Sequence, residues 1–203
     1  MNELNTDELI RASVSLFIVM DPIGLVPLIA SLTSKLSIEQ SRRVVRSTIY
    51  TASALLLAFA IAGHYILEAF GISLSSFRIA GGLLLLLLSF ELLLKGWELK
   101  GNEISIGAVP LAFPLLVGPG AITTILISLD RYGILVTMLS VAIVLALTML
   151  TFSFMNTLNR LLGNLGSLIV SRVMAILIAG IAIEFILSGV EEFIARQDKA
   201  RQE

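Results

Sequence analysis

Long apolar runs alternate with short polar stretches along the chain, and this pattern predicts six membrane-spanning helices. Each run approaches the ~20 residues that a helix needs to cross the hydrocarbon core of a bilayer. Most of the charged residues fall in the polar stretches between the runs. The predicted spans are 9–32, 47–69, 75–94, 104–129, 132–155 and 167–190.

The composition supports this interpretation. Of the 203 residues, 57% are apolar and 14% are charged, whereas a soluble domain has about 45–50% and about 25%. The mean hydropathy is +0.96. The absence of cysteine excludes disulfides and thiolate chemistry. We therefore predict an all-α membrane protein.

Two of the predicted spans are interrupted by proline and glycine. The first reads MDPIGLVP at residues 20–27, and the fourth reads VGPGAITT at residues 117–124. A proline inside a helix removes a backbone hydrogen bond, and lipid offers no water to the groups that are freed. Such breaks are tolerated beside other protein or a wet cavity, so we predict that spans 1 and 4 are broken helices. A simple proline kink in a packed bundle is the alternative.

The two breaks occupy corresponding places in two halves of the chain. We divide the chain into a first repeat, 1–100, and a second repeat with a charged tail, 101–203, which together form one membrane domain. Three spans per half invert the second half relative to the first, and paired broken helices are typical of repeat-built transporters. The third span of each half also begins near an arginine, Arg78 or Arg172, and later carries a glutamate, Glu91 or Glu184.

The opened backbone at these breaks is suited to a small dipolar solute. Carbonyl groups can bind an ammonium, and the N–H groups and positive dipole end of a following half-helix can bind a carboxylate. The two threonines of the second break can donate to a bound carboxylate or back-bond within their own helix. The candidate substrate-binding residues are Asp21, Pro22, Gly24, Gly118, Pro119, Gly120, Ala121, Thr123 and Thr124.

Charged residues inside the spans are the other candidates. Asp21 can cap the half-helix that begins at Pro22, or it can bind substrate or carry a coupling proton. Glu91 and Glu184 can pair across the bundle or relay protons. Arg78 and Arg172 can join such a polar network, although snorkelling to the headgroups is favoured for both.

Several functional classes are excluded by missing motifs. There is no glycine-rich loop with lysine for ATP, no His-Glu-x-x-His helix, and only one histidine. We therefore expect no enzyme activity, metal or cofactor, and no nucleic-acid partner. The expected partners are a small-molecule substrate, a coupling H⁺ or Na⁺ and the lipid bilayer, while a homo-oligomer is left open. A secondary transporter is the leading hypothesis, and a channel or membrane scaffold is the alternative.

The loop charges predict the orientation. Four lysines and arginines lie in the stretch 33–46, and cytoplasmic loops are enriched in these residues. We therefore predict that both termini lie outside the cytoplasm.

The motifs MDPIGLVP, FPLLVGPGAITT (113–124), RIAGG (78–82) and RVM (172–174) resemble the MarC family of bacterial and archaeal integral membrane proteins. The resemblance covers nearly the whole chain. It implies a six-span protein of the cytoplasmic (inner) membrane that transports small neutral amino acids such as glycine and alanine with a cation gradient. Members often read Asp-Pro-x-Gly-Asn, whereas this chain has Leu25 after Gly24, which implies a less polar site if that side chain lines it.

Overall fold

The computed structural model describes residues 6–34, 36–94 and 110–200, without the side chains of 156–164, 167, 199 and 200. These residues form helices and short connections, and no strand occurs among them. The predicted boundary between the halves, at 95–103, lies outside the described residues. The helices are α1 (Thr6–Met20), α2 (Pro22–Leu32), α3 (Ile38–Ala69), α4 (Leu74–Leu94), a π segment (Leu111–Leu116), α5 (Pro119–Ser153) and α6 (Met155–Ala200).

The all-α membrane fold is confirmed. In the described part of the chain, five helical stretches are long and apolar enough to cross a membrane: Thr6–Leu32, Ile38–Ala69, Leu74–Leu94, Pro119–Ser153 and Leu168–Asp198. The fourth predicted span has no continuous helix of its own, because it is divided between the π segment and the start of α5. Its first residues, 104–109, are outside the described ranges.

Two helices are longer than the hydropathy pattern predicts. The start of α3 lies in the stretch predicted to be a polar loop, because Ser37 and Gln40 form a capping box with hydrogen bonds of 3.2 and 2.9 Å. At the other end of the chain, α6 continues through both the predicted polar linker and the charged tail. The helices therefore extend beyond the predicted spans, since hydropathy measures affinity for lipid and not the tendency to form a helix.

Helix α5 folds back on itself at Gly133, two residues beyond Asp130 and Arg131, the short stretch between predicted spans 4 and 5. Gly133 has a φ of 79°, which glycine adopts at little cost. The Thr137 hydroxyl donates to Ser128 Oγ over 3.1 Å, although nine residues of straight helix would cover about 13 Å. Residues 119–132 and 134–153 are therefore two antiparallel arms, referred to below as the first and second arms of α5.

Glycines bring α4 and α6 into close antiparallel contact. A Cβ added to Gly82 would lie 2.7 Å from the Ala182 carbonyl oxygen, and one added to Gly189 would lie 2.8 Å from the Ser75 carbonyl oxygen. The numbering rises along α4 as it falls along α6, so the helices run in opposite directions. Small residues at such contacts allow helix backbones to approach within a membrane.

The half-helices that follow the two breaks lead to opposite ends of the bundle. Helix α2 ends at Thr33, whose hydroxyl lies 3.8 Å from Met155 Sδ at the start of α6. We call this the basic end, because the arginine-rich start of α3 follows directly. The first arm of α5 ends near Asp130, which lies 3.6 Å from His64 close to the far end of α3. Two inverted three-helix repeats would give such a divergence, and the division into repeats stays a prediction.

Candidate functional site

The first break is centred on Asp21, which separates α1 from α2. Its backbone is left-handed, with φ 40° and ψ 57°, a conformation that aspartate tolerates better than most residues. Its Oδ1 accepts a hydrogen bond of 3.0 Å from the Gly24 N–H, and Pro22 occupies the first position of α2. The predicted helix cap is thus present.

The cap uses only one of the two carboxylate oxygens. Among the described residues, Asp21 Oδ2 receives no hydrogen bond and Asp21 has no ion pair. A Cβ at position 24 would overlap the carboxylate, so Gly24 is needed for the side chain to reach the backbone of α2. The second oxygen remains available to a ligand.

The second break has no side-chain cap. Phe113 is extended inside the π segment (φ −140°, ψ 127°), and Gly118 precedes Pro119, the first residue of α5. A Cβ on Gly118 would lie 2.8 Å from the Pro114 carbonyl oxygen, which explains the glycine. Because a glycine stands at the N-cap, the first N–H groups of α5 have no side-chain acceptor.

The two breaks meet. A Cβ on Gly120 would lie 2.8 Å from Val19 Cγ1 at the end of α1 and 3.0 Å from Phe185 Cζ on α6. Helix α1 is about 22 Å long and α2 about 16 Å at 1.5 Å per residue. Neither covers a hydrocarbon core of about 30 Å alone, so the first break lies at membrane depth, and the contact places the second there too.

Both breaks line one cavity of about 400 Å³. Its walls are mostly apolar, and Asp21 is the charged residue among them. The lining residues are Val19, Met20, Asp21, Gly24, Leu25, Pro27, Leu85, Pro114, Leu115, Gly118, Ala121, Met174, Leu177, Ile178, Ile181 and Phe185.

Four of the nine candidate substrate residues line this cavity: Asp21, Gly24, Gly118 and Ala121. Pro22 is buried and starts α2, Pro119 packs against Gly81, and Gly120 packs against Val19. These three residues shape the site without lining it.

The two threonines of the second break do not line the cavity. Their hydroxyls back-bond within the helix, from Thr123 to the Pro119 carbonyl and from Thr124 to the Gly120 carbonyl, each over 2.8 Å. Of the two predicted roles for these threonines, the structure therefore shows hydrogen bonding within their own helix.

Arg78, for which snorkelling to the headgroups was the favoured prediction, has partners inside the protein. Its side chain is 23% exposed, and Nη1 lies 3.1 Å from Oε2 of Glu192. Its Nε donates to Thr123 Oγ1 over 3.3 Å, and Arg196 binds the other oxygen of Glu192 over 3.2 Å. Arg78 therefore links α4, α5 and α6 at the end of the bundle opposite the basic end.

The other predicted members of a polar network are elsewhere. Glu91, Glu184 and Arg172 are exposed on the outer surface, and none forms an ion pair in the described ranges. Sequence reasoning missed Glu192, which was assigned to the charged tail. The signal was present in the spacing of Glu192 and Arg196, which suits an i,i+4 pair on a continuing helix.

These features define a polytopic α-helical membrane protein in which two broken helices meet at a cavity within the bilayer. The chain belongs to the MarC family of integral membrane proteins, whose sequence model matches residues 6–194.

Relatives match most of this chain and most of their own length. A UPF0056 membrane protein of Archaeoglobus fulgidus is 35% identical over 91% of this chain and 92% of its own. UPF0056 membrane protein MJ1677 of Methanocaldococcus jannaschii is also 35% identical, over 89% of this chain and 95% of its own. A UPF0056 membrane protein of Buchnera aphidicola is 32% identical over 92% of this chain and 93% of its own. No solved structure matches this chain.

Proposed function

We propose that this protein is a secondary transporter of small neutral amino acids, of the glycine and alanine type, driven by a proton or sodium gradient. One observation carries the proposal: both breaks open into a single cavity that holds an unpartnered carboxylate oxygen and an uncapped helix N-terminus. A zwitterion has an ammonium and a carboxylate group, so it requires both kinds of partner at once.

The substrate ammonium is assigned to Asp21. Its Oδ2 is free of hydrogen bonds within the described residues, and its Oδ1 is fixed by the N–H of Gly24. The carboxylate is thereby oriented before a ligand arrives. Charge-assisted hydrogen bonds of this kind are about twice as strong as neutral ones.

The substrate carboxylate is assigned to the start of α5. Gly118 adds no side chain there and Pro119 has no N–H, so Gly120 and Ala121 carry the first amide donors of the helix, of which Ala121 lines the cavity. A helix N-terminus carries about half a positive charge and is a ready anion site.

The apolar walls favour a neutral, small side chain. Leu25, only 8% exposed, lines the cavity together with Leu115 and Ile178. A charged substrate side chain would be buried here without a partner, which costs several kcal/mol. The volume of about 400 Å³ lies near the lower end of small-molecule sites, about 300–1,000 Å³.

Alternating access requires one end of the bundle to open as the other closes. The Arg78–Glu192 contact holds α4 against α6 at one end, and these helices are the third spans of the two halves. Separation of this pair is the expected opening movement at that end. A cross-link between α4 and α6 there is expected to stop transport.

Counterflow in proteoliposomes tests the proposal. Vesicles loaded with unlabelled alanine should accumulate labelled alanine transiently, because a carrier exchanges solute without net flux. Glycine in excess should compete, whereas aspartate and lysine should not. Absence of counterflow, with or without a proton or sodium gradient, would leave the channel or scaffold as the better account.

We place the protein in the cytoplasmic membrane with both termini outside the cytoplasm, on the basis of the loop charges. A C-terminal alkaline phosphatase fusion should be active and a C-terminal fluorescent protein that matures only in the cytoplasm should be dark. The reverse pattern would invert the topology.

A further inference from the structure

A second cavity of about 450 Å³ lies at the basic end, between the start of α3 and the end of α5. It is separate from the cavity at the breaks, and the two share no lining residue. One wall carries Arg42, Arg46 and Tyr50, and the opposite wall is formed by Met149, Phe152, Ser153 and Met155.

The polar groups of this cavity lie along one helix face. Residues 42, 46 and 50 are four apart, which places them on the same side of α3 at intervals of about 6 Å. Neither Arg42 nor Arg46 has an ion-pair partner among the described residues, whereas the neighbouring Arg43 lies 3.8 Å from Glu39. Two adjacent guanidinium groups without a carboxylate are suited to a phosphate, which arginine binds through two parallel hydrogen bonds.

The rest of the cavity is apolar except for Ser153, whose hydroxyl donates to the Leu150 carbonyl over 2.6 Å. Ile49, Met149 and Phe152 line it, and α3 carries no charged residue from Ser47 to Gly63. The arginines therefore lie at headgroup level, and the apolar wall begins where the hydrocarbon begins. Tyr50 stands at this boundary, where aromatic residues are enriched in membrane proteins.

We infer that this cavity binds one anionic phospholipid, with its phosphate between Arg42 and Arg46 and an acyl chain along the apolar wall. A free phosphate ion would use the two arginines and leave the apolar half of the cavity unfilled. Basic pockets between membrane helices on the cytoplasmic side are known to take such headgroups, and the loop charges predict that the basic end is cytoplasmic.

Lipid binding to the purified full-length protein in detergent tests the inference. The probes are phosphatidylglycerol, phosphatidylcholine with the same acyl chains, and inorganic phosphate, and the readouts are native mass spectrometry and the apparent unfolding temperature. Phosphatidylglycerol should bind at least tenfold more tightly than phosphatidylcholine. The R42Q/R46Q variant should lose this preference, and R42K/R46K should keep most of it.

The matched control is R43Q, because Arg43 is on the same turn of α3 but outside the cavity. It should bind phosphatidylglycerol as the unsubstituted protein does. An equal loss in R43Q would show diffuse surface charge instead of a site, and equal binding of both lipids would remove the headgroup contact. Equal stabilisation by inorganic phosphate would show a free-anion site, which contradicts the inference. If R42Q/R46Q does not fold, the single variants R42Q and R46Q give the same test, because each should weaken the binding of phosphatidylglycerol where R43Q does not.

Discussion

Asp21 is predicted to have two separable roles, as the cap of α2 and as the charge of the cavity. Three substitutions divide them. Asparagine keeps an oxygen that can cap α2, and it tolerates the left-handed backbone. Alanine has no capping oxygen and is strained in that conformation. Glycine has no capping side chain, but it adopts the left-handed conformation without strain. All three remove the same charge, so differences among them report the cap and the backbone alone.

The structure gives the expected size of those differences. Replacing a cap residue by alanine costs about 1 kcal/mol, and the left-handed conformation at φ 40° costs a non-glycine residue about 1–2 kcal/mol. Asp21→Ala should therefore be less stable than Asp21→Asn by about 2 kcal/mol. For a domain of about 200 residues this corresponds to an unfolding temperature lower by about 4–8 °C. The free energy of unfolding of Asp21→Gly should lie within about 0.5 kcal/mol of that of Asp21→Asn, because glycine at a cap position costs only a few tenths of a kcal/mol.

The assay is thermal unfolding of the three purified variants in the same detergent, followed by counterflow of alanine. If Asp21→Ala and Asp21→Asn unfold at the same temperature, the hydrogen bond to Gly24 contributes nothing and the capping argument fails. In counterflow, Asp21→Asn should lose at least tenfold in rate despite its retained stability, because the ammonium then faces a neutral amide. Full, pH-independent transport by this variant would remove both the ammonium contact and a coupling role for Asp21.

Three further outcomes follow from the packing and the cavity. Gly82→Ala should lower the free energy of unfolding by about 1–3 kcal/mol, because the added Cβ would meet a backbone carbonyl at 2.7 Å. The control is Gly180→Ala, where nothing lies within 4 Å of the added Cβ, and it should be neutral or slightly stabilising. Thermal unfolding measures both. Leu25→Asn should raise serine transport relative to alanine in competition assays, and an unchanged ratio would mean that Leu25 does not contact the substrate. Arg78→Gln and Glu192→Gln should each slow transport, and the double variant should be no slower than either single one; additive losses would mean that the two residues act separately.

The features predicted correctly depend on local chemistry. Asp followed by Pro is a helix cap with proline at the first helical position, and this prediction required only two adjacent residues. The second break was predicted for a similar reason, because Gly118 and Pro119 cannot continue a regular helix from the preceding residues. Whether these residues bind a substrate stays a prediction.

The features that were missed depend on which helices become neighbours. The contact of Arg78 with Glu192 requires α4 and α6 to run antiparallel in one particular register, which Gly82 and Gly189 set by close backbone approach. Residues more than 100 positions apart give no sign of that register in a single sequence. Glu184 was predicted in the network because it lies inside a span, but its position on the helix turns it away from the bundle.

The difference between the two breaks determines what kind of ligand the cavity suits. Inverted half-helices bring two positive N-termini to the same depth, and two open N-termini would favour a solute with two negative groups. Asp21 fills one of them with a carboxylate, whereas Gly118, which likewise precedes a proline at the first position of its helix, leaves the other open. This single difference gives the cavity one negative and one positive wall. A bound amino acid should therefore lie with its ammonium toward α1 and α2 and its carboxylate toward α5.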